Sequence, residues 1–107
     1  MTIAVDFDGT LADTDATKIY SPNTKLIGYL IERRKQGDKI ILWTCREGSR
    51  LEQAVEWCKY QGLEFDAVND NLPGLKLFRM NPRKVAADVY IDDAMTGKEE
   101  FDLPFRG

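Results

Sequence analysis

The sequence predicts an α/β fold: one Rossmann-like, three-layer domain with a mainly parallel sheet of four to five strands. Three observations predict it. Short apolar runs alternate with segments of helical periodicity. Polar and acidic residues directly follow the apolar runs. The 107 residues are enough for one domain and too few for two, so we expect a single domain over 1–107.

Composition narrows the classes of function. With 43% hydrophobic and 31% charged residues, the chain is typical of a globular cytoplasmic protein, and we expect no membrane partner. The absence of histidine excludes a Ser-His-Asp triad and a His-based zinc site. A net charge of -3 counts against a nucleic-acid partner. Cys45 and Cys58 lie in apolar patterns without a CxxC motif, so we expect both to be reduced core residues.

The first half of the chain predicts a strand, a polar connection and a helix. Residues 2–7 are apolar up to the first aspartate and predict a central strand buried on both faces. Residues 8–20 predict an irregular loop or a short hairpin. Ser21 and Pro22 predict the N-cap and first residue of a helix that ends at Gly37.

The middle of the chain repeats this order. Residues 39–43 predict the second strand. A second helix is expected from Ser49, where Ser49 and Glu52 have the spacing of a capping box, to Gly62. Residues 64–68 predict a third, shorter strand.

The last third is less regular. Residues 69–83 predict mostly loop, because Asn, Pro and Gly recur there, and residues 84–87 predict a helical turn. Residues 89–91 predict the fourth strand, and the residues from about 96 onward are expected to be peripheral.

The ends of the predicted strands carry the candidate site. In open parallel sheets, ligands bind beyond the carboxyl ends of the strands. That rule gathers the polar residues that follow the strands: Asp6, Asp8, Thr44, Asn69, Asp70, Asp92 and Asp93. Asp6 and Asp8 are two positions apart, so on an extended strand both side chains would point to the same face.

Oxygen ligands without His or Cys favour Mg²⁺. A Mg²⁺ site beside a hydroxyl and a lysine suits a phosphate group, with one aspartate as nucleophile and another as general acid and base.

Four segments resemble motifs of the haloacid dehalogenase (HAD) superfamily of phosphatases. Asp6-Phe7-Asp8-Gly9-Thr10 matches its DxDGT signature. The apolar run that ends in Thr44 resembles the second motif. Lys84, followed by Val89-Tyr90-Ile91-Asp92-Asp93, resembles the third and fourth. The resemblance runs from residue 3 to about residue 94.

The resemblance implies a role for each matching residue. Asp6 would be the nucleophile that forms an aspartyl-phosphate, and Asp8 the general acid and base. Thr44 and Lys84 would bind the phosphoryl group. Mg²⁺ would be held by the Asp6 carboxylate, the Asp8 main-chain carbonyl and Asp92, with Asp93 as a further candidate. Gly9 and Thr10 would shape the loop.

Several assignments stay open at the level of sequence. Lys76 and Arg83 compete with Lys84, because the loop around them is irregular. Arg46 is either a contact for a second anionic group of the substrate or a solvated side chain near a helix start. Gly9, Thr10 and Asn69 are further possible substrate contacts. Neither gap between the motifs is long enough for a folded cap, so the resemblance implies a capless member with an open site.

The leading interpretation is a Mg²⁺-dependent phosphatase that acts on a small phosphorylated metabolite. An alternative is a phosphatase for nucleotide or nucleic-acid end phosphates. A third is a receiver-like module that accepts a phosphoryl group, although the order of its acidic motifs differs from that found here. The sequence leaves the physiological substrate and the oligomeric state open.

Overall fold

The structure is a computed structural model that describes residues 1–15, 17–70 and 87–92. In chain order, the elements of this part are β1 (Thr2–Val5), β2 (Ala12–Thr14), β3 (Ile19–Pro22), α1 (Thr24–Lys35), β4 (Lys39–Leu42), α2 (Gly48–Tyr60), β5 (Ala67–Val68) and β6 (Val89–Ile91). Four strands form a sheet in the order β5-β4-β1-β6, and every neighbouring pair is parallel. β2 and β3 form a separate antiparallel hairpin. The predicted α/β class with a mainly parallel sheet is confirmed.

The four parallel strands end in one row. Val5 of β1 pairs with Leu42 of β4 and with Ile91 of β6, and Leu42 pairs with Val68 of β5. These are the last residues of the four strands. The residues that directly follow the strands are therefore brought to one edge of the sheet.

One face of the sheet packs against both helices. The main hydrophobic cluster joins Ile3 and Val5 of β1 and Leu42 of β4 to Leu30 of α1 and Cys58 of α2. Both crossovers, β1-α1-β4 and β4-α2-β5, step in the same direction along the sheet, and right-handed crossovers then place both helices on one face.

The opposite face carries a second, smaller cluster around Ala4 and Ile41. Among the described residues no helix contributes to this second cluster, so the third layer stays a prediction from sequence.

The start of α1 differs from the prediction. Ser21 and Pro22 belong to β3, so they are not the N-cap and first residue of the helix. Asn23 is the N-cap: its side-chain oxygen accepts a hydrogen bond from the backbone N–H of Leu26 at 3.2 Å. Pro22 pairs with Ala12 in the hairpin, and this long-range pairing overrides the local Ser-Pro signal. Of the two structures proposed for residues 8–20, the short hairpin is the correct one.

The start of α2 also differs. The helix begins at Gly48, with Glu47 as an extended N-cap residue that makes no side-chain capping bond, so the predicted capping box of Ser49 and Glu52 is wrong. The predicted helix ends are confirmed. Gly37 and Gly62 follow the C-cap residues with φ of 104° and 93°, a left-handed conformation that glycine adopts without steric cost.

Most strands are shorter than the apolar runs predicted. β1 ends at Val5, where residues 2–7 were expected, and β5 comprises only Ala67–Val68 of the expected 64–68. β6 agrees with the predicted residues 89–91. Of the loop expected over 69–83 and the helical turn over 84–87, residues 71–86 lie outside the described part. Within that part, neither helix has the length and apolar composition that crossing a membrane requires.

Candidate active site

Main-chain hydrogen bonds extend the parallel sheet by one residue at its carboxyl edge. The amide of Asp6 donates to the carbonyl of Ile91 at 2.9 Å. In the same way, Trp43 donates to Val5 at 2.9 Å, and Asn69 donates to Leu42 at 2.7 Å. The backbones of Asp6 and Asn69 thus continue the hydrogen bonding of the strands that precede them.

Three of the predicted site residues line one cavity at this edge. Asp6, Thr44 and Asp92 surround a space of about 360 Å³. Asp6 follows β1 and Asp92 follows β6, and these two strands are neighbours in register. One Asp6 carboxylate oxygen, Oδ1, accepts a hydrogen bond from the backbone N–H of Phe7 at 2.8 Å, which orients the carboxylate. The structure therefore brings two aspartates and a threonine to the wall of one cavity, as the strand-end argument predicted.

Asn69 holds the loop that carries Thr44. Its side-chain oxygen accepts from the backbone N–H of Thr44 at 2.7 Å, and its amide nitrogen donates to the carbonyl of Arg46 at 3.4 Å. Asn69 has a φ of 52°, a left-handed conformation that asparagine tolerates better than most residues. Both polar ends of this side chain are used within the protein, so Asn69 positions Thr44. Its role as a substrate contact stays a prediction from sequence.

The Thr44 hydroxyl accepts a hydrogen bond from the backbone N–H of Arg46 at 3.2 Å. Because α2 begins only at Gly48, this bond stabilises the loop and does not cap the helix. The hydroxyl still has its own proton to donate to a ligand.

Asp8 is bound by a guanidinium group. Arg46 donates from Nη2 to one Asp8 oxygen at 2.8 Å and from Nε to the other at 3.0 Å. The Thr14 hydroxyl also donates a hydrogen bond to Asp8, at 2.7 Å. The Arg46 interaction is the largest influence on Asp8 and, with Thr14, outweighs partial burial, so the pKa of this carboxyl lies below its usual range.

The environment of Arg46 rules out one of the two sequence interpretations of this residue. Arg46 is only 5% exposed, so it is not a solvated arginine at a helix start. Its guanidinium is committed to Asp8, and its Cζ lies 4.9 Å from the centre of the Phe7 ring, a cation–π geometry. A charged residue shortly after Thr44 was visible in the sequence, but nothing local indicated a partner 38 positions away.

The expectation that Asp6 and Asp8 lie on one extended strand and face the same way is wrong for Asp8. β1 ends at Val5, and the backbone amides of Thr10, Leu11 and Ala12 all turn back to the carbonyl of Phe7. Asp8 therefore lies in a tight turn and not on an extended strand.

Gly9 and Thr10 belong to this turn. Gly9 has a φ of 76°, and the buried Thr10 accepts a hydrogen bond at its carbonyl from the Asn23 side chain at 3.1 Å. Both residues line a separate cavity of about 140 Å³ and not the one around Asp6. They shape the loop, as the resemblance implied.

Some predicted site residues lie outside the described part. They are Lys84 and its rivals Lys76 and Arg83, and the second aspartate of the pair, Asp93. The phosphate-binding lysine and the second possible metal ligand therefore remain predictions from sequence.

The donor atoms of the described part fit a hard cation. No group of three or more His, Cys, Asp or Glu side chains that could hold a metal occurs among residues 1–15, 17–70 and 87–92. The ligand set implied by the resemblance needs only two of the described carboxylates, Asp6 and Asp92, together with the Asp8 carbonyl. Both carboxylates line the same cavity, and all of these donors are oxygens, as Mg²⁺ prefers.

The two cysteines differ in environment. Both are free thiols, and Cys58 is fully buried, as predicted. Cys45 is exposed and lines the cavity beside Thr44, so the prediction of a core residue is wrong for it. The apolar run before Cys45 ends with the strand at Leu42, which leaves Cys45 on the loop.

Comparison with known proteins gives one informative match. No protein-family model matches the chain, and no curated protein matches it. Among solved structures, a conserved protein coded by a locus of Bacteroides thetaiotaomicron is similar to this chain, with 39% sequence identity and a TM-score of 0.77. The similarity covers 91% of this chain and 78% of that protein.

Proposed function

We propose that this chain, which belongs to the same family as the conserved Bacteroides thetaiotaomicron protein, is a Mg²⁺-dependent phosphatase for a small phosphorylated metabolite. It would act through an aspartyl-phosphate. The observation that carries the proposal is the cavity at the carboxyl edge of the sheet, where Asp6, Thr44 and Asp92 meet. A carboxylate nucleophile, a hydroxyl donor and a second carboxylate for a cation are the groups that phosphoryl transfer needs.

In the first step, a carboxylate oxygen of Asp6 attacks phosphorus, and the bond from phosphorus to the ester oxygen breaks. The leaving oxygen takes the electron pair of that bond and a proton from Asp8, which can carry that proton only after its bidentate contact with Arg46 opens. The Thr44 hydroxyl donates to an oxygen of the phosphoryl group. The backbone N–H of Phe7 donates to one Asp6 oxygen and so orients the attacking carboxylate.

In the second step, water attacks phosphorus, and the bond from phosphorus to the Asp6 oxygen breaks. Asp8 takes a proton from the water, which restores the proton it delivered in the first step. The bidentate contact with Arg46 favours the unprotonated carboxylate that accepts this proton.

A bound Mg²⁺ would neutralise charge on the phosphoryl group and orient it for in-line attack. Asp6 and Asp92, together with the Asp8 carbonyl, are the described residues that would hold it.

The proposal is tested with purified protein, a panel of phosphorylated metabolites and p-nitrophenyl phosphate, with Mg²⁺ or with a chelator. Asp6→Asn keeps the shape of the side chain and removes the nucleophile, so kcat/KM is expected to fall by about 10³-fold or more. The matched control is Asp88→Asn, because the Asp88 side chain accepts a hydrogen bond from the backbone N–H of Thr2 at the amino end of β1, away from the site. Its activity per folded molecule is expected to match the wild type.

Chelation is expected to abolish turnover and added Mg²⁺ to restore it. Full activity of Asp6→Asn contradicts the nucleophile assignment, and Mg²⁺-independent turnover contradicts the metal assignment.

A further inference from the structure

A second cavity, of about 460 Å³, opens between the β2–β3 hairpin and α2. Lys18 lines it from the turn of the hairpin, and Arg50 and Trp57 line it from α2. Cavities of roughly 300–1,000 Å³ hold most small-molecule ligands. The space is therefore large enough for the organic part of a small metabolite.

This cavity adjoins the residues assigned to proton transfer. Arg46 forms part of its wall and donates two hydrogen bonds from the same guanidinium to the two oxygens of Asp8. Two side chains of the cavity wall pack against the Phe7 ring. The Arg46 guanidinium stacks on its face, and the Trp57 ring meets it edge-on at a centroid distance of 5.6 Å. Phe7 stands between Asp6 and Asp8 in the chain, so two residues of the cavity wall, Arg46 and Trp57, pack against the loop that carries both aspartates.

The charges of the wall favour an anion. Asp8 balances the charge of Arg46. Lys18 and Arg50 are exposed, and neither makes an ion pair with a carboxylate of the described residues. Glu56 is the acidic residue of the wall, and it lies six positions after Arg50, which corresponds to roughly 9 Å along α2. Two cations are thus available near the Arg46 end of the cavity.

We propose that this cavity takes the leaving group of the substrate, and that Lys18 and Arg50 bind a second anionic group on it. The proposal rests on the proposed function, because a general acid must contact the leaving oxygen. The leaving group then extends from Asp8 along the wall that Arg46 forms. The substrate class is a small phosphate monoester with a second carboxylate or phosphate, whose carbon skeleton packs against Trp57.

Three matched aryl phosphates test the proposal without knowledge of the natural substrate. They are 4-carbamoylphenyl phosphate, which is neutral at the para position, 4-carboxyphenyl phosphate and 1,4-phenylene bisphosphate. We expect the wild type to prefer the two charged probes to the carbamoyl probe by about tenfold in kcat/KM, since each gains charge-assisted hydrogen bonds. A stronger preference for the carboxylate or for the bisphosphate identifies which anion the site prefers.

The preference is the kcat/KM for a charged probe divided by that for the carbamoyl probe. Lys18→Gln and Arg50→Gln are each expected to lower this ratio by about three- to tenfold. The matched control is Lys59→Gln, which removes one positive charge from the other end of α2. It is expected to keep the wild-type ratio. All three side chains are exposed, and the Tm of each variant verifies that it is folded.

The outcomes separate the two proposals. If no probe is hydrolysed in the presence of Mg²⁺, both the phosphatase assignment and the leaving-group cavity are overturned. If the probes are hydrolysed without preference for charge, only the leaving-group cavity is overturned. A ratio that falls equally in Lys59→Gln and Arg50→Gln reflects net charge and likewise overturns local binding.

Discussion

The Asp8–Arg46 pair shows how a single buried side chain connects stability with the proposed chemistry. Arg46 is 4% exposed at its side chain, whereas Asp8 is 38% exposed. The pair is therefore open to water on one side only. Removal of the arginine leaves a carboxylate that water can partly solvate, and this limits the cost compared with a fully buried pair.

Arg46→Gln is expected to lower the free energy of unfolding by about 1–3 kcal/mol, because three hydrogen bonds to Asp8 and the contact with Phe7 are lost. Urea denaturation measures the change. Arg50→Gln is the control, since it removes the same charge from an exposed position and is expected to change stability by less than about 0.5 kcal/mol. Equal stability of Arg46→Gln and the wild type would show that the pair contributes nothing to folding.

At the scale of elements, the connection between hairpin and helix depends on Asn23. Its side-chain oxygen caps α1 at Leu26, and its amide nitrogen donates to the Thr10 carbonyl in the turn after Asp8. One side chain thus ties the start of a helix to the loop that carries the acidic motif. Ser21, which the sequence suggested as the cap, instead donates to Asp13 on the exposed side of the hairpin.

Asn23→Ala is expected to lower the free energy of unfolding by about 1–2 kcal/mol, the cost of a lost N-cap together with the bond to Thr10. Ser21→Ala is expected to cost less than about 0.5 kcal/mol. Thermal or urea denaturation of the two variants distinguishes the observed cap from the predicted one. A larger loss in Ser21→Ala would reverse the assignment.

The corner between α1 and β4 makes stability dependent on pH. Asp38 accepts hydrogen bonds from Arg33 at 2.6 Å and from the amino group of Met1 at 3.0 Å. Burial raises the pKa of the Asp38 carboxyl, but these two partners together outweigh it and hold the pKa below its ordinary value of 3.8. The folded state therefore binds this proton more weakly than the unfolded state does.

Asp38→Asn is expected to lower the free energy of unfolding by about 1–2 kcal/mol at neutral pH. A carboxyl with a lowered folded-state pKa stabilises the fold above its unfolded pKa, and this contribution is lost as pH falls below about 4. The difference between wild type and variant should therefore shrink as pH falls from about 5 to 3 in urea denaturation. A difference that stays constant over this range would assign the effect to packing.

For the molecule as a whole, the two thiols report on folding. Cys45 is exposed on the loop after Trp43, whereas Cys58 is buried in the main cluster between α2 and the sheet. Burial raises the pKa of the Cys58 thiol to about 12, which suppresses its reactive thiolate.

A thiol reagent such as Ellman's reagent is expected to modify one cysteine of the native protein quickly and the second only after unfolding. Cys45→Ser, as the control, should abolish the fast phase and leave the slow one. The rate of the slow phase should rise with urea, because modification of Cys58 requires opening of the core. Rapid modification of both thiols in the native protein would contradict the burial of Cys58.

The sequence alone determined the chain order of the four parallel strands and the two helices, the glycines that end both helices and the residues that follow each parallel strand. It could do so because burial imposes a local period on each element, and because parallel strands align their carboxyl ends. Asp6, Thr44 and Asp92 meet for that reason.

Only the tertiary structure decided which distant groups pair: Arg46 with Asp8, Asn69 with the Thr44 loop, and Pro22 with Ala12 in place of a helix start. These contacts join residues that no local pattern relates. The first two form because polar groups withdrawn from water must find partners, and in the third a strand pairing overrides the local Ser-Pro signal. The exposure of Cys45 was decided in the same way, by where β4 ends in the packed sheet.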